Sequence, residues 1–141
     1  IIVGSGKKLA YLKGLAAELH LEKRVRFAGY RLDVADFYDA ADLYVLPSKR
    51  EGLNVSIMEA MASGLPVACS RIRGNTELVD ENGGCLFDPY SPKEAAWGIG
   101  RLLSKDLESY GAYNLDKIRK FDVSAVNKAV KGLYKKVIFG E

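Results

Sequence analysis

Short, continuously apolar segments alternate with segments of helical period along most of this chain. A strand that is apolar on both faces lies inside a sheet covered by helices, and the alternation implies right-handed crossovers between parallel strands. We therefore expect an α/β fold with a doubly wound, mostly parallel sheet and buried strands. The expected strands are IIVG (1–4), VRFAGY (25–30), LYVLPS (43–48), PVACS (66–70) and GCLFD (84–88).

The expected helices follow the spacing of apolar residues and the signals for helix ends. A helix over 54–63 has Asn54 as its N-cap, and one over 91–104 has Ser91 as its N-cap. After these we expect a helix broken near Gly111 and then a last helix, so that the fold has a helical C-terminal end. The remaining helices are expected at 8–21, 33–41 and 75–80.

The length of the chain fits a single domain over residues 1–141. It opens directly on an apolar strand without an initiator methionine, which indicates a piece of a longer protein. Cys69 and Cys85 lack a CxxC spacing, so we interpret them as reduced thiols of a cytoplasmic protein, with a disulfide left open.

Charge and hydropathy exclude several classes of function. A net charge of +3 with dispersed basic residues argues against a nucleic-acid partner. The basic segment KAVKGLYKK (128–136) is interpreted as a solvated helix face, with contact to a phosphate-rich surface as the alternative. No apolar run in this sequence is long enough to span a membrane, and we expect no signal peptide.

Two glutamates, Glu51 and Glu59, are separated by seven residues in SKREGLNVSIMEAMASGLPV (48–67). Ligands of open α/β sheets bind at the carboxyl ends of the strands. The loop 47–54 leaves the carboxyl end of a strand, so we expect it to face a ligand. Glu59 lies in a very apolar helix, and we expect that helix to be packed on nearly all sides.

Helical side chains lean toward the N-terminus of their helix, so Glu59 is expected to reach back toward the loop that holds Glu51. The helix start offers free N–H groups and a positive dipole end to a phosphate, and Gly52 permits close approach of a ligand. Carboxylates accept hydrogen bonds from vicinal hydroxyls. A sugar nucleotide has this combination of groups, whereas the simpler interpretation is two solvated charges.

The segment SKREGLNVSIMEAMASGLPVACSRIRGNTELVDENGGCLFDP resembles the C-terminal domain of family-4 retaining glycosyltransferases of the GT-B fold, which has a Rossmann-like sheet. The match rests on the two glutamates followed by Ala-Met-Ala-x-Gly-x-Pro-Val. It continues upstream in IIVGSG, RVRFAGY and FYDAADLYVLPS and covers about residues 1–104.

The resemblance implies a role for each matching residue. Glu51 would contact hydroxyls of the donor sugar and Glu59 the ribose of the nucleotide, and these two are the candidate catalytic residues. The amides of Gly52, Leu53, Asn54 and Val55 would face the sugar and diphosphate. The backbone of Gly29, Tyr30 and Arg31 would lie along the nucleobase.

The resemblance also implies missing parts. Nothing here matches the Arg and Lys that neutralise the leaving diphosphate in the family, so the first βα unit and the N-terminal acceptor domain are expected to be absent. The fragment alone should then bind donor weakly and transfer nothing. In the sheet order 3-2-1-4-5-6 the absent strand is central, so IIVG and LYVLPS would pair with each other or with another copy of the chain.

Other possible binding motifs in the sequence are less well supported. VGSGKKL (3–9) fails as a dinucleotide fingerprint because its third glycine position holds Leu9. His20 is interpreted as a surface residue, and a zinc site is implausible because the chain has one histidine and no CxxC pair of cysteines. Lys49 and Arg50 are interpreted as solvated rather than diphosphate-binding, and Asn75 and Thr76 are left between donor contact and helix capping.

The family resemblance implies that the parent protein transfers a sugar from a nucleoside diphosphate sugar to an acceptor, with retention and without a metal or cofactor. Polysaccharide or glycoconjugate synthesis is expected, in the cytoplasm or at the inner face of the membrane, with peripheral membrane association of the parent left open. Its partners are the donor and the missing domain, not nucleic acid. The alternative is a non-catalytic nucleotide-binding or interaction module.

Overall fold

The computed structural model describes residues 1–140. Contacts between residues divide it into two compact units, Ile1–Phe37 and Tyr38–Glu141. The prediction of a single donor-binding domain over the whole chain stays a prediction.

The first unit contains a parallel pair of strands and one long helix. Strand β1 (Ile2–Val3) pairs with β2 (Phe27–Gly29), and α1 (Leu9–Glu18) connects them. The expectation that IIVG is a buried strand is wrong, because Ile2 is 42% exposed and Val3 38% exposed. Helices cover the faces of a parallel sheet, and the single helix α1 between β1 and β2 can cover only one face of this short pair. Helix α2 (Val34–Asp39) follows.

The second unit is built on a three-stranded parallel sheet with the order β3-β4-β5. The central strand β4 places Val67 opposite Tyr44 on one side and opposite Gly84 on the other. The elements of this unit are β3 (Tyr44–Leu46), α3 (Val55–Ala62), β4 (Val67–Ser70), α4 (Asn75–Leu78), β5 (Gly84–Phe87), α5 (Pro92–Leu103), α6 (Leu107–Ile118), a 3₁₀ turn (Arg119–Phe121) and α7 (Val123–Phe139).

Helices cover both faces of this sheet. Successive side chains of β4 point to opposite faces, and Val67 and Cys69 join one core cluster while Ala68 joins another. The first cluster contains side chains of α3 and the second contains Leu102 of α5. The predicted fold class, a doubly wound Rossmann-like α/β fold, is confirmed. Its buried strand is β4, whose four residues are all buried.

The two sheets do not share a strand pair among residues 1–140, since β1 pairs with β2 and β3 pairs with β4. The hypothesis that IIVG and LYVLPS pair with each other is therefore wrong. Pairing with another copy of the chain stays a prediction.

The expectation of a helix broken near Gly111 is also wrong, because α6 runs unbroken through this glycine. A Cβ on Gly111 would lie 2.0 Å from the carbonyl oxygen of Gly64. The glycine thus allows α6 to cross the turn after α3 at backbone contact distance, and tertiary packing outweighs its low helix propensity.

Both cysteines are free, as predicted, with Cys69 buried and Cys85 half-buried. Burial raises the pKa of the Cys69 thiol to about 12. Among residues 1–140, every helix is too short or too polar to cross a membrane.

Candidate functional site

The loop after β3 leads into α3, whose first turn is capped by Asn54. The buried Asn54 side chain accepts a hydrogen bond from the amide of Ile57 at 3.3 Å, as its predicted role as N-cap requires. Ser56 donates to the same Asn54 oxygen at 2.7 Å, and the Tyr44 hydroxyl donates to Ser56 at 2.7 Å. A chain of hydrogen bonds from the half-buried Tyr44 therefore fixes the cap.

The backbone amides at this helix start are uncommitted. Within residues 1–140, none of the amides of Gly52, Leu53, Asn54, Val55 and Ser56 donates a hydrogen bond to another residue. The cap satisfies the amide of the third helical residue and leaves the earlier ones free. The start of α3 therefore offers several N–H groups, with the positive end of the helix dipole, to an anion.

Gly74, just before α4, fixes the position of this loop. A Cβ on Gly74 would lie 1.9 Å from the carbonyl oxygen of Gly52, and Gly74 has a φ of +90° that side chains rarely adopt. The carbonyl of Gly52 therefore faces Gly74. Because a trans peptide directs its carbonyl and its amide in opposite directions, the amide of Leu53 points away from Gly74.

Helix α3 is packed on one face only, so the expectation that it is packed on nearly all sides is wrong. Ile57, Ala60 and Met61 are buried, whereas Val55 and Glu59 on the opposite face are exposed. The apolar residues of the open face misled the sequence interpretation. Glu59 is a solvent-facing carboxylate on a rigid helix rather than a buried one.

Tyr38 holds the carboxylate of Glu59. Its hydroxyl lies 3.1 Å from Oε2 of Glu59 and donates a hydrogen bond to it. The ring of Tyr38 packs edge-on against Tyr44, with 5.7 Å between the ring centroids. Burial and the hydrogen bond to Glu59 raise the pKa of Tyr38, so the phenol stays protonated and remains a donor.

The charges of Glu51 and Glu59 both affect the pKa of the Tyr44 hydroxyl. Burial raises the pKa of Tyr44, its hydrogen bond with Ser56 lowers it, and the negative charges of Glu51 and Glu59 both raise it. Along the chain, Glu51 lies in the loop before the Asn54 cap and Glu59 lies within α3. Glu51 and Gly52 are exposed on the loop.

The predicted nucleobase segment lies in the first unit. Gly29 ends β2 with a φ of +72°, and Tyr30 is 73% exposed. The guanidinium of Arg31 donates to the carboxylate of Asp33 and lies 5.5 Å from the centroid of the Phe37 ring. This hydrogen bond from Arg31 lowers the pKa of Asp33. The segment has an exposed aromatic ring and a cation held in place.

The secondary candidates have structural partners. Lys49, predicted to be solvated, is exposed, and its ammonium lies 4.7 Å from the centroid of the Tyr90 ring. Asn75 is fully buried and donates to the carbonyl of Ser70 at 3.0 Å, which ties α4 to the end of β4. Neither donor contact nor capping, the two alternatives for Asn75, describes this role. Thr76 is exposed.

No metal site is evident in the part of the chain that the structure describes, since three or more His, Cys, Asp or Glu side chains do not cluster there. His20 is exposed, as predicted, at the end of α1 with a φ of +55°. Metal independence of the reaction stays a prediction.

Sequence interpretation missed three residues that build the site: Tyr38, Tyr44 and Gly74. The two tyrosines lie in FYDAADLYVLPS, and the contacts of their hydroxyls with Glu59 and Ser56 span 21 and 12 residues. The contact of Gly74 with Gly52 joins residues 22 positions apart and depends on the packing of two loops. No local pattern would have found these partners.

The fold and the start of α3 together indicate a class of protein. A doubly wound parallel fold with a helix start of free amides, beside carboxylates and at the carboxyl edge of the sheet, is typical of the nucleotide-binding half of an α/β protein.

The sequence profile described as "Glycosyl transferases group 1" matches residues 1–115. The chain belongs to this family of glycosyltransferases with the GT-B fold. An uncharacterized glycosyltransferase of Methanocaldococcus jannaschii is 33% identical over 147 aligned residues, which cover 93% of this chain and 37% of that protein. An Escherichia coli UDP-Gal:alpha-D-GlcNAc-diphosphoundecaprenol alpha-1,3-galactosyltransferase is 40% identical over 90 residues, 62% of this chain and 23% of that protein.

Solved structures show the same fold. HepE of Anabaena in complex with UDP matches with a TM-score of 0.83 and 28% identity over 95% of this chain and 40% of that chain. Sucrose-phosphate synthase of Thermosynechococcus elongatus matches with a TM-score of 0.83 and 28% identity over 99% of this chain and 38% of that chain. The chain therefore spans well under half the length of these relatives.

Proposed function

We propose that this chain is the donor-binding part of a retaining glycosyltransferase, which transfers a sugar from a nucleoside diphosphate sugar to an acceptor. The observation that carries the proposal is the start of α3, where uncommitted amides follow Glu51 of the preceding loop and precede Glu59 in the helix. Membership of the group 1 family and the likeness to a UDP complex of HepE support it.

The proposed binding mode follows the chemistry of the donor. The amides from Gly52 to Val55, with the positive end of the α3 dipole, would bind the diphosphate, an anion that prefers this environment. Glu59 would accept hydrogen bonds from the ribose hydroxyls, and Glu51 from hydroxyls of the sugar. The segment Gly29–Arg31 would lie along the base.

In the proposed reaction the bond between the anomeric carbon and the diphosphate oxygen breaks. The acceptor oxygen forms the new bond on the face from which the diphosphate leaves, and the acceptor proton passes to a leaving phosphate oxygen, so the configuration is retained. Glu51 and the free amides orient the donor and stabilise the charge that grows on the diphosphate. We propose that this occurs without a metal, in the cytoplasm, in polysaccharide or glycoconjugate synthesis, and that the chain alone is inactive.

Binding of nucleotides tests the proposal. The chain is titrated with UDP, GDP and ADP, and then as the Glu59→Gln and Glu51→Gln variants, with Glu81→Gln as a control on an exposed turn. We expect one nucleotide to bind best and Glu59→Gln to weaken it. Glu51→Gln should act on the sugar nucleotide more than on the free diphosphate.

Two results would speak against the proposal. If none of the three nucleotides binds, the chain has no donor site. If all four proteins bind a nucleotide equally well, that nucleotide does not contact the two glutamates. Transfer activity, assayed on the parent protein with the matching sugar nucleotide, separates an enzyme from a binding module that lacks catalysis.

A further inference from the structure

The Glu59 carboxylate has a partner on a different element. Tyr38 lies in α2, and its hydroxyl donates to Oε2 of Glu59 at 3.1 Å. The carbonyl of Ser56 is also near this hydroxyl, at 3.4 Å, but a hydroxyl has one hydrogen and the carboxylate is both closer and charged. Glu59 is otherwise exposed, with three rotatable side-chain bonds.

The ring of Tyr38 is held in place by its packing. It packs against the core cluster that contains α3 and β4, and it lies edge-on to Tyr44. A hydroxyl on a packed ring has little freedom, whereas an exposed glutamate without a partner samples several rotamers. The hydrogen bond therefore selects one orientation of the carboxylate.

That orientation leaves acceptors for a diol. An ionised carboxylate has about four lone-pair sites, and the Tyr38 hydroxyl takes one of them on Oε2. Oε1 and the remaining site on Oε2 can then accept two hydroxyl groups on neighbouring carbons. A fixed carboxylate also loses less entropy when a ligand binds.

From this geometry we infer that Tyr38 is a positioning residue that orients Glu59 to receive the vicinal hydroxyls of a nucleotide ribose. The inference rests on the proposed function, because it assigns Glu59 to the ribose. It adds a residue that touches no ligand and acts only through the carboxylate.

The test compares ribonucleotides with their 2′,3′-dideoxy forms. The nucleotide that binds best among UDP, GDP and ADP is titrated into the chain together with its dideoxy form. The variants are Tyr38→Phe, Glu59→Gln, the double variant and Tyr44→Phe. Tyr44→Phe removes the other hydroxyl of the same ring pair, but this hydroxyl binds Ser56 rather than Glu59.

We expect Tyr38→Phe to weaken ribonucleotide binding about three- to tenfold, the range of one net hydrogen bond, and to leave dideoxynucleotide binding unchanged. In the Glu59→Gln background, Tyr38→Phe should have no further effect on affinity. Tyr44→Phe, which acts through the Asn54 cap, should change both affinities by the same factor.

Different results separate the two claims. If Glu59→Gln weakens ribonucleotide binding but Tyr38→Phe alters neither affinity, or alters both equally, the inference is wrong and the proposed function stands. If the unaltered chain does not distinguish the ribonucleotide from its dideoxy form, the assignment of Glu59 to the ribose is wrong and the inference is lost with it.

Discussion

Gly74 lies so close to the loop of Glu51 and Gly52 that a Cβ would be 1.9 Å from the Gly52 carbonyl oxygen. The start of α4 thus supports the loop that begins the candidate donor site. The free amide of Leu53 points the other way, toward the side where the ligand is proposed.

Replacing Gly74 with alanine should displace this loop. We expect Gly74→Ala to weaken nucleotide binding and to destabilise the fold by about 1–3 kcal/mol, because a φ of +90° is strained for alanine and the clash is with backbone. Gly64→Ala is the matched control, since its φ is +71° and its Cβ would meet only the Leu115 side chain at 3.2 Å. Both variants should lose stability in urea unfolding, but only Gly74→Ala should lose affinity. Unchanged nucleotide affinity in Gly74→Ala would show that the loop does not depend on this contact.

Two substitutions of Asn54 should separate its effect on stability from its effect on nucleotide binding. Asn54→Ala removes the acceptor for the Ile57 amide and should cost about 0.5–2 kcal/mol of unfolding free energy. Asn54→Asp keeps that acceptor and most of the stability, but its negative charge should repel a diphosphate. Ser91→Ala, which removes the cap of α5, should lower stability without changing affinity. Tighter nucleotide binding by Asn54→Asp would contradict an anion site at the start of α3.

Asp80 should make stability depend on pH. Burial alone would raise the pKa of Asp80, but the hydrogen bonds from Lys117 at 2.5 Å and Tyr113 at 2.8 Å outweigh it, and the pKa is lowered. A lowered pKa means that the carboxylate stabilises the fold above its unfolded pKa of about 3.9 and that this contribution is lost as the pH falls through the folded value.

Asp80→Asn should therefore reduce the unfolding free energy at pH 7 by about 1 kcal/mol, since the Asp80 side chain is 37% exposed and solvent screens the pair. The difference from the unaltered chain should shrink as the pH falls below about 4. Asp116→Asn, which breaks an ion pair that is 80% and 81% exposed, should change stability by less than about 0.5 kcal/mol at every pH. A constant deficit of Asp80→Asn across the pH range would show that the charge is not what matters.

Two glycines in helices should respond in opposite ways to alanine. Gly111→Ala places a methyl group 2.0 Å from the Gly64 carbonyl oxygen and should destabilise the fold by about 1–3 kcal/mol. Gly132→Ala in α7 meets no atom within 4 Å and should stabilise by about 0.5–1 kcal/mol through helix propensity. Thermal unfolding of the two variants measures this contrast. A stabilised Gly111→Ala would mean that α6 does not cross Gly64 closely.

Local signals predicted much of the second unit. The caps at Asn54 and Ser91 depend on residues at most three apart, so the sequence contains all the information that sets them. The bounds of α3 and α5 followed from these caps. The apolar character of β4 predicted its burial because this strand has a neighbour on each side and helices on both faces.

Long-range contacts account for what sequence could not predict. The exposure of Ile2 depends on which helices cover its strand, and the continuity of α6 at Gly111 depends on Gly64. The contact of Tyr38 with Glu59 joins residues 21 positions apart on two different helices, α2 and α3. Glu59 itself was found from its motif, but its exposure was not, because the exposed side of α3 also carries the apolar residues Val55 and Ala62.

The central claim is a diphosphate site at the start of α3, and amide chemical shifts test it most directly. The ¹⁵N-labelled chain is titrated with UDP, GDP and ADP. We expect one of them to shift the amides of Gly52 to Ser56, together with that of Glu59, in a single saturable transition. Saturable shifts confined to other parts of the chain, or none with any of the three nucleotides, would contradict it.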